Sequence, residues 1–164
     1  MTVKPIIMHP NPLLEQKCKR VDKFDSKLQR LIRNMFDTMY EADGVGLAGP
    51  QIGVLEQIAV VDADEEIGPI VLINPEIYDQ TGEELGVEGC LSIPSVYGEV
   101  LRSESIKVKA VDVKGRPFDL NASGFVARAI QHEIDHLQGI LFTSKVVRYV
   151  KEEELEELVE EGNE

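Results

Sequence analysis

The sequence contains no tryptophan, two cysteines and three histidines, and only 5% of its residues are aromatic. Two cysteines cannot form the disulfide framework of a small secreted domain. No apolar run approaches the roughly 20 residues of a membrane helix, and the N-terminal segment lacks the apolar core of a signal peptide. Basic residues are also scarce, with 17 Lys and Arg against 30 Asp and Glu. Because phosphate binding depends on clustered Lys and Arg, these absences predict a cytoplasmic protein that binds neither nucleic acid nor a membrane directly.

The length of 164 residues, with 43% hydrophobic and 29% charged residues, is typical of one globular domain. We therefore expect a single domain over residues 1–164. The net charge of -13 is concentrated at the C-terminus, where residues 151–164 contain eight Glu and one Lys. We expect this acidic tail to be a solvated helix end.

Hydrophobic periodicity and turn residues predict a series of helices and strands. In chain order these are a helix from Asp25 or Ser26 to about Glu41, strands at 57–63, 70–75, 105–113 and 116–122, a helix at 123–138 that ends at Gly139, and a last helix from about Lys145. The strands come in clusters rather than in strict alternation with helices. This order favours an α+β fold with antiparallel β-sheets packed around the central helix 123–138, plus an N-terminal and a C-terminal helix.

The central helix carries the sequence His-Glu-x-x-His at residues 132–136. His132 and His136 are four residues apart, so they lie on one face and can hold one divalent metal ion. Glu133 lies about 100° around the helix and can reach the site without ligating the metal. The alternative is a chance pair of surface histidines. The apolar surroundings of the pair favour the metal site, because buried histidines without a metal need other partners.

A catalytic metal site needs a third ligand and an open coordination position. Cys90 is the preferred candidate because a thiolate is a strong ligand for zinc or ferrous iron, and its neighbours Gly89 and Leu91 allow close and dry approach of the backbone. His9, in a proline-flanked segment, is the alternative. The other cysteine, Cys18, lies in the polar stretch QKCKR and is expected near the surface.

A glycine-rich segment, GVGLAGPQ, occupies residues 44–51. It follows a helix rather than a strand and lacks Gly-Lys-Ser/Thr, so it is neither a dinucleotide fingerprint nor a P-loop. Four glycines within residues 44–53 disfavour a regular helix and make a poor strand. The segment is either a simple turn or a backbone surface for an extended peptide, with Gln51 supplying an amide donor at its end.

Three motifs, GVGLAGPQ at 44–51, EGCLS at 88–92 and QHEIDH at 131–136, together resemble the peptide deformylase family. The resemblance covers residues from about 4 to about 145. It implies a metal-dependent hydrolase that removes the N-formyl group from the N-terminal formyl-methionine of newly made peptides and releases formate. The family's first motif usually has two alanines where this sequence has Ala48 and Gly49, so we expect looser packing there.

The resemblance also implies the metal and its ligands. The ligands are Cys90, His132 and His136, and ferrous iron is the expected metal, with zinc, nickel or cobalt able to occupy the same site. The family acts on chains as they leave the ribosome, so transient proximity to the ribosome is expected. Glu133 is the implied general base, and the Gln51 side-chain amide and the Leu91 backbone N–H are the implied donors to the oxyanion.

The methionine side chain of the substrate calls for an apolar pocket beside the metal. The residues expected to contact substrate are Val45, Gly46, Gly89, Phe125 and Ala129, of which Val45 and Gly46 pair with the peptide main chain. Arg128 is expected at the pocket rim with its charge in water. Glu88 is expected to pair with Arg102. The role of Tyr97, where bacterial members often have an arginine nearby, is left open.

Two other functions are compatible with the motif. One is a metallopeptidase that cuts internal peptide bonds, which shares the metal and Glu133 but needs a wider cleft. The other is a binding module with a structural metal, which needs four protein ligands. Only three good ligands are visible in this sequence.

Overall fold

The computed structural model describes residues 2–162, and within them eight strands form two antiparallel sheets accompanied by three α-helices. The elements are α1 (Ser26–Glu41), β1 (Gly46–Ala48), β2 (Ile58–Val61), β3 (Ile70–Thr81), β4 (Glu84–Cys90), β5 (Ile93–Arg102), β6 (Ser105–Val111), β7 (Pro117–Ser123), α2 (Gly124–Leu137), β8 (Val146–Val150) and α3 (Glu152–Gly162). The predicted α+β class is confirmed. Of the acidic tail 151–164, residues 163 and 164 lie outside the described residues, as does Met1.

The larger sheet has the strand order β1-β2-β3-β6-β7 and the smaller one β4-β5-β8, so β1 and β4 are edge strands. Side chains alternate between the two faces of the larger sheet. Leu47 and Val60 pack with the α1 residues Met35 and Met39. The next residues along these strands, Ala48, Ala59 and Val61, point to the other face and pack with Ile130 of α2. Helix α2 therefore lies between the two sheets, where its motif residues face β4.

The bounds of both long helices confirm the predictions. The Asp25 side chain accepts a hydrogen bond from the Leu28 N–H and caps α1. Helix α2 ends before Gly139, which adopts φ 77°. A side chain at Gly139 would meet the Glu15 carbonyl oxygen at 2.5 Å, so glycine both ends the helix and lets the N-terminal segment pass closely.

The structure corrects four parts of the predicted element order. The segment 84–102, left without a predicted element, forms the β4–β5 hairpin, and β3 continues to Thr81. Gly46–Ala48 is a strand in spite of its glycine, because it pairs with β2. The last helix begins at Glu152 rather than near Lys145, since the β-branched residues of Val146–Val150 pair with β5 instead.

Two expectations about packing are also wrong. A side chain at Gly49 would meet the Val54 carbonyl oxygen at 2.5 Å, so glycine fits a tight turn there rather than leaving a gap. Cys18 is buried, not near the surface, because its segment lies along the end of α2 and its N–H donates to the Leu137 carbonyl at 3.0 Å. Among the described residues, no helix is both long and apolar enough to cross a membrane.

Candidate metal centre

The side chains of Cys90, His132 and His136 converge where the end of β4 meets α2. One potential ligand atom from each lies within 4.8 Å of the other two. The Cys90 Sγ is 3.4 Å from the His136 Nε2, and the two imidazole rings are 5.0 Å apart. His9, the alternative third ligand, is exposed and lies outside this group. A thiolate with two imidazoles is a donor set that suits zinc or ferrous iron and leaves a coordination position open.

Glu88 orients the first histidine of the motif. Its Oε1 lies 2.9 Å from the His132 Nδ1, and a proton assigned to that nitrogen leaves Nε2 free for a metal ion. Arg102 donates to both carboxylate oxygens of Glu88, at 2.8 and 2.9 Å. This two-point contact confirms the predicted pair. Arg102 also contacts Asp135, so one arginine ties the carboxylate of β4 to the next turn of α2.

Arg128 is not at the pocket rim with its charge in water, as expected, but is buried. Its guanidinium donates to the Glu88 carboxylate at 2.8 Å and to the carbonyl oxygens of Val100 and Glu84 at 2.8 and 2.7 Å. The acceptors come from β4 and β5, and Gly86 leaves the space that the guanidinium occupies. Burial is possible because the charge is paired and hydrogen-bonded.

The charges around the centre shift the pKa values of its groups in different directions. Burial raises the pKa of Glu88, but the hydrogen bonds from Arg102 and His132 outweigh burial and lower it overall. Burial lowers the pKa of His132, but hydrogen bonds with Cys90 and Glu88 raise it to about 10. Burial and the charge of His132 lower the pKa of His136 to about 3. A metal ion competes with the His132 proton, because imidazole ligates metals in its neutral form.

Glu133 follows His132 on α2, and its carboxylate lies against Gly46 of β1. It is buried, and a side chain at Gly46 would collide with its carboxylate. Among residues 2–162, its Oε1 and the His136 Nδ1 are buried without a hydrogen-bond partner. Burial raises the pKa of Glu133 to about 7. An unpaired buried carboxylate is unfavourable, so this arrangement fits a site that receives a further polar group or a cation.

Gln51 is brought to the centre by the short helical turn Gly49–Ile52, which follows β1. Its Oε1 accepts a hydrogen bond from the Ala48 N–H at 2.9 Å. Its Nε2 donates to the Ser92 Oγ at 3.1 Å and lies 3.7 Å from the Cys90 Sγ. The amide orientation is therefore fixed, with its donor end toward the thiol. Ser92 was missed in the sequence, because only the folded hairpin tip shows its contact with Gln51.

A cavity of about 480 Å³ opens over the metal centre between β1, β4 and α2. The structure brings all six of the remaining predicted residues to its wall: Val45, Gly46, Gly89, Leu91, Phe125 and Ala129. Tyr97 also lines it and packs on Gly89, where a side chain would meet the tyrosine ring at 2.9 Å. Sequence reasoning missed Val87, Ile93 and Pro94, which also line the cavity, because the β4–β5 hairpin was not predicted.

Comparison with known proteins gives consistent results. The sequence model of the polypeptide deformylase family matches residues 3–152. The chain is 59% identical over 156 residues to peptide deformylase 1 of Bacillus cereus, covering 95% of this chain and 100% of that protein. It is 52% identical over 158 residues to peptide deformylase 1 of Bacillus subtilis, covering 96% and 99%.

Solved structures agree with the sequence relatives. A peptide deformylase from Legionella pneumophila superposes with a TM-score of 0.84 at 46% identity, covering 88% of this chain and 86% of that one. A peptide deformylase from Synechococcus elongatus in complex with actinonin superposes with a TM-score of 0.83 at 44% identity, covering 96% and 86%. The family match spans the glycine segment, the cysteine segment and the helix motif alike.

Proposed function

The chain belongs to the polypeptide deformylase family, and we propose that Cys90, His132 and His136 hold the metal ion of its reaction while Glu133 moves the proton. The reaction removes the N-formyl group from newly made peptides. The observation that carries these assignments is the convergence of three ligand atoms within 4.8 Å beside the buried, unpaired oxygen of Glu133. The catalytic unit is one domain that includes all three motifs.

A divalent ion in this site supplies Lewis-acid polarisation and makes a water molecule acidic near neutral pH. The chain's own residues do the rest. The Glu88 carboxylate holds the His132 ring by its Nδ1, which keeps the other ring nitrogen aimed at Cys90 and His136. A water that attacks the formyl carbon gives its proton to Glu133. Glu133 then passes that proton to the leaving amine, and formate and the free N-terminus are the products.

The protonation of Glu133 suits this work. Burial raises its pKa to about 7 in the metal-free protein, so the carboxyl is far easier to protonate than an exposed one, as a group that accepts and then releases a proton requires. Gly46 leaves the room that the carboxylate occupies. Glu133 is thus held close to the ligands without being one of them.

Developing negative charge on the formyl oxygen needs fixed donors. We assign this role to the Gln51 side-chain amide and the Leu91 backbone N–H. Gln51 supports the assignment because its amide is buried and is oriented at both ends by Ala48 and Ser92. A donor that is already oriented needs no rearrangement as the charge develops.

The substrate main chain is assigned to the edge of the larger sheet. β1 is an edge strand, and Val45, immediately before it, is exposed at the cavity. An extended peptide can add to such an edge through main-chain hydrogen bonds. Val45 and Gly46 then face one side of the peptide and Gly89 the other. The first side chain enters between Phe125 and Ala129 of α2 and the strand β4.

Ferrous iron is the metal we assign to the site. A thiolate donates more charge than a third imidazole, which makes the ion a weaker Lewis acid and favours iron over zinc. Ferrous iron beside a thiolate is sensitive to oxygen, and the Cys90 sulfur can itself be oxidised. The activity half-lives of the iron and nickel forms in air-saturated buffer test the assignment. A longer half-life for nickel supports iron, whereas matching half-lives favour zinc as the working metal.

We infer a cytoplasmic enzyme that meets formyl-methionyl chains close to the ribosome. The acidic helix α3, with Glu152, Glu153 and Glu154 in its first turn, opposes electrostatic docking of that end to RNA. Nucleic acid and membranes are therefore not assigned as direct partners.

Formate release tests the proposed function. Anaerobically purified protein is incubated with formyl-Met-Ala-Ser, and formate and metal content are measured on the same sample. A long unblocked peptide serves as the second substrate, because cleavage inside it would indicate a metallopeptidase. Cys90→Ala should lose both metal and turnover, and Cys18→Ala is the matched control. Equal metal content in the two variants would point to a different third ligand.

A further inference from the structure

Arg128 occupies the same cavity as the residues assigned to the first side chain of the substrate. Phe125, Arg128, Ala129 and His132 recur at helical spacing on α2 and all line the cavity. The Arg128 side chain is only 7% exposed. It crosses from α2 to β4 and β5, so a charged residue rather than an apolar one is part of this cavity wall.

The guanidinium is held in one position. Its Nη1 donates to Glu88, to the Val100 carbonyl and, at 3.5 Å, to the Gly86 carbonyl, and its Nη2 donates to the Glu84 carbonyl. A side chain at Gly86 would meet the Cζ and Nε of Arg128 at 2.9 Å. Gly86 of strand β4 therefore packs directly against the guanidinium. A guanidinium that is hydrogen-bonded to four acceptors and packed against a strand cannot swing out of the wall when a substrate enters.

Part of the donor capacity of this arginine is unused. A guanidinium carries five N–H bonds; the contacts to Glu88, Val100 and Gly86 share the two on Nη1, and the contact to Glu84 uses one on Nη2. Within residues 2–162, the Nε–H and the second Nη2–H have no acceptor. A charged donor in a partly dry cavity makes a strong hydrogen bond with any acceptor that reaches it.

We propose that Arg128 is a specificity-determining residue that favours formyl-peptides whose first side chain carries a hydrogen-bond acceptor near its end. The thioether sulfur of methionine is a weak acceptor, the oxygen of methionine sulfoxide is a strong one, and the hydrocarbon chain of norleucine has none. The pocket therefore ranks these linear side chains by acceptor strength as well as by apolar area. The inference rests on the proposed entry of the first side chain between α2 and β4.

The test compares kcat/KM for three formyl-tripeptides on the metal-loaded enzyme. Their first residues are methionine, norleucine and methionine sulfoxide, each followed by Ala-Ser. The variants are Arg128→Met, which removes the donors at similar length, and Arg128→Lys, which keeps the charge but not the fork. Arg148→Met is the matched control, because Arg148 is an exposed arginine paired with Glu99 and Glu154 away from the cavity.

In the wild-type enzyme we expect the sulfoxide peptide to exceed the norleucine peptide by about tenfold, the effect of one hydrogen bond to a charged donor. Arg128→Met should abolish this preference and Arg148→Met should keep it. If the ratio of kcat/KM between the sulfoxide and norleucine peptides is the same in the wild type and in Arg128→Met, the inference is overturned. Loss of an arginine with a purely structural role would lower kcat/KM for all three peptides by the same factor. If Arg128→Met does not fold, a wild-type enzyme that prefers norleucine to the sulfoxide overturns it as well.

Phe125→Ala separates this inference from the assignment on which it rests. Phe125→Ala should change either the ratio of kcat/KM between the methionine and norleucine peptides or the KM of both. If it does so while Arg128→Met leaves the ratios of kcat/KM among the three peptides unchanged, only the role of Arg128 is wrong. If neither variant affects any of the three substrates, the first side chain does not enter between α2 and β4. Absence of formate release from all three peptides by the wild-type enzyme would contradict the proposed function itself.

Discussion

The two helices that flank the larger sheet are held by different kinds of interaction. Helix α1 packs against the sheet mainly through apolar side chains, with Met35 and Met39 fully buried against β1, β2 and β3. Helix α2 is apolar toward the sheet, but it meets β4 and β5 through buried charges that centre on Glu88. Replacing buried ion pairs by apolar residues is often neutral or stabilising. The α1 side thus accounts for stability, and the charged side is better explained by the orientation of His132.

The largest expected effect is that of Glu133→Gln on the charged side. The amide keeps the shape of the side chain but cannot accept the proton from the attacking water. We expect kcat to fall by about 10²–10⁴-fold, the usual contribution of a general base, while metal content stays unchanged. Stopped assays of formate release with metal analysis on the same sample check both. Near-normal turnover would mean that Glu133 does not carry the proton.

Glu88→Ala should have the next largest effect, and it acts on both stability and the site. It leaves Arg102 and Arg128 without their shared carboxylate, and breaking a buried charge network costs about 3–5 kcal/mol. It also removes the partner of the His132 Nδ1, for which we expect metal affinity to fall by about 10–100-fold. Urea unfolding and a chelator competition measure the two. If Glu88→Ala kept the metal affinity of the wild type, the buried ion pairs of Glu88 would contribute to stability but not to metal binding.

Met35→Ala tests the apolar packing of α1, which should contribute to stability but not to activity. Met35 is fully buried between α1 and the sheet, and such truncations cost about 2–5 kcal/mol through lost burial and a residual cavity. Because Met35 packs among apolar residues of α1 and the larger sheet and is not part of the ligand group, kcat/KM per folded molecule and metal content should match the wild type. A loss of activity as large as that of Glu88→Ala would show that the two sides are coupled.

Acid should weaken the charged side selectively. Glu88 has a lowered pKa in the folded protein, so its stabilising contribution is present above the ordinary carboxyl value of 4.5 and is lost as the pH falls below it. Glu88→Gln has no carboxyl to protonate. The difference in unfolding free energy between wild type and Glu88→Gln should therefore shrink on acidification below that value, while the difference between wild type and Met35→Ala stays constant. Urea titrations of metal-free protein at several pH values provide the measurement.

The same contrast explains what could be predicted from the sequence. Helices α1 and α2 were predicted almost to the residue, because spacing of three and four, caps and Gly139 are all local signals. The β4–β5 hairpin was missed, since its glycines at Gly86, Gly89 and Gly98 resemble loop residues. Each of these glycines makes room for a side chain that arrives from elsewhere, such as Arg128 at Gly86.

Among the site residues too, those marked by local sequence patterns could be predicted, and those defined by distant contacts could not. The ligand candidates Cys90, His132 and His136 could be found because a metal restricts residue type and spacing, and the structure brings them together. The environment of Arg128 could not, because its acceptors are backbone carbonyls of strands 28 and 44 residues away. Local sequence reports that an arginine is polar and does not report which distant carbonyls will satisfy it.

The smallest expected effect is that of Cys18→Ser, which tests the two cysteines against each other. Cys18 is buried in the core beside α2, and burial together with Glu56 raises the pKa of its thiol to about 11. It is therefore a neutral thiol that behaves as a small apolar side chain. Serine places a hydroxyl in the same surroundings at a cost of about 1–3 kcal/mol. Thermal unfolding should record that loss while metal content and kcat/KM remain those of the wild type, because Cys18 is outside the ligand group. Loss of metal from Cys18→Ser would show that apolar packing beside α2 affects metal binding. It would then contradict the conclusion that the apolar core and the charged contacts around Glu88 act independently.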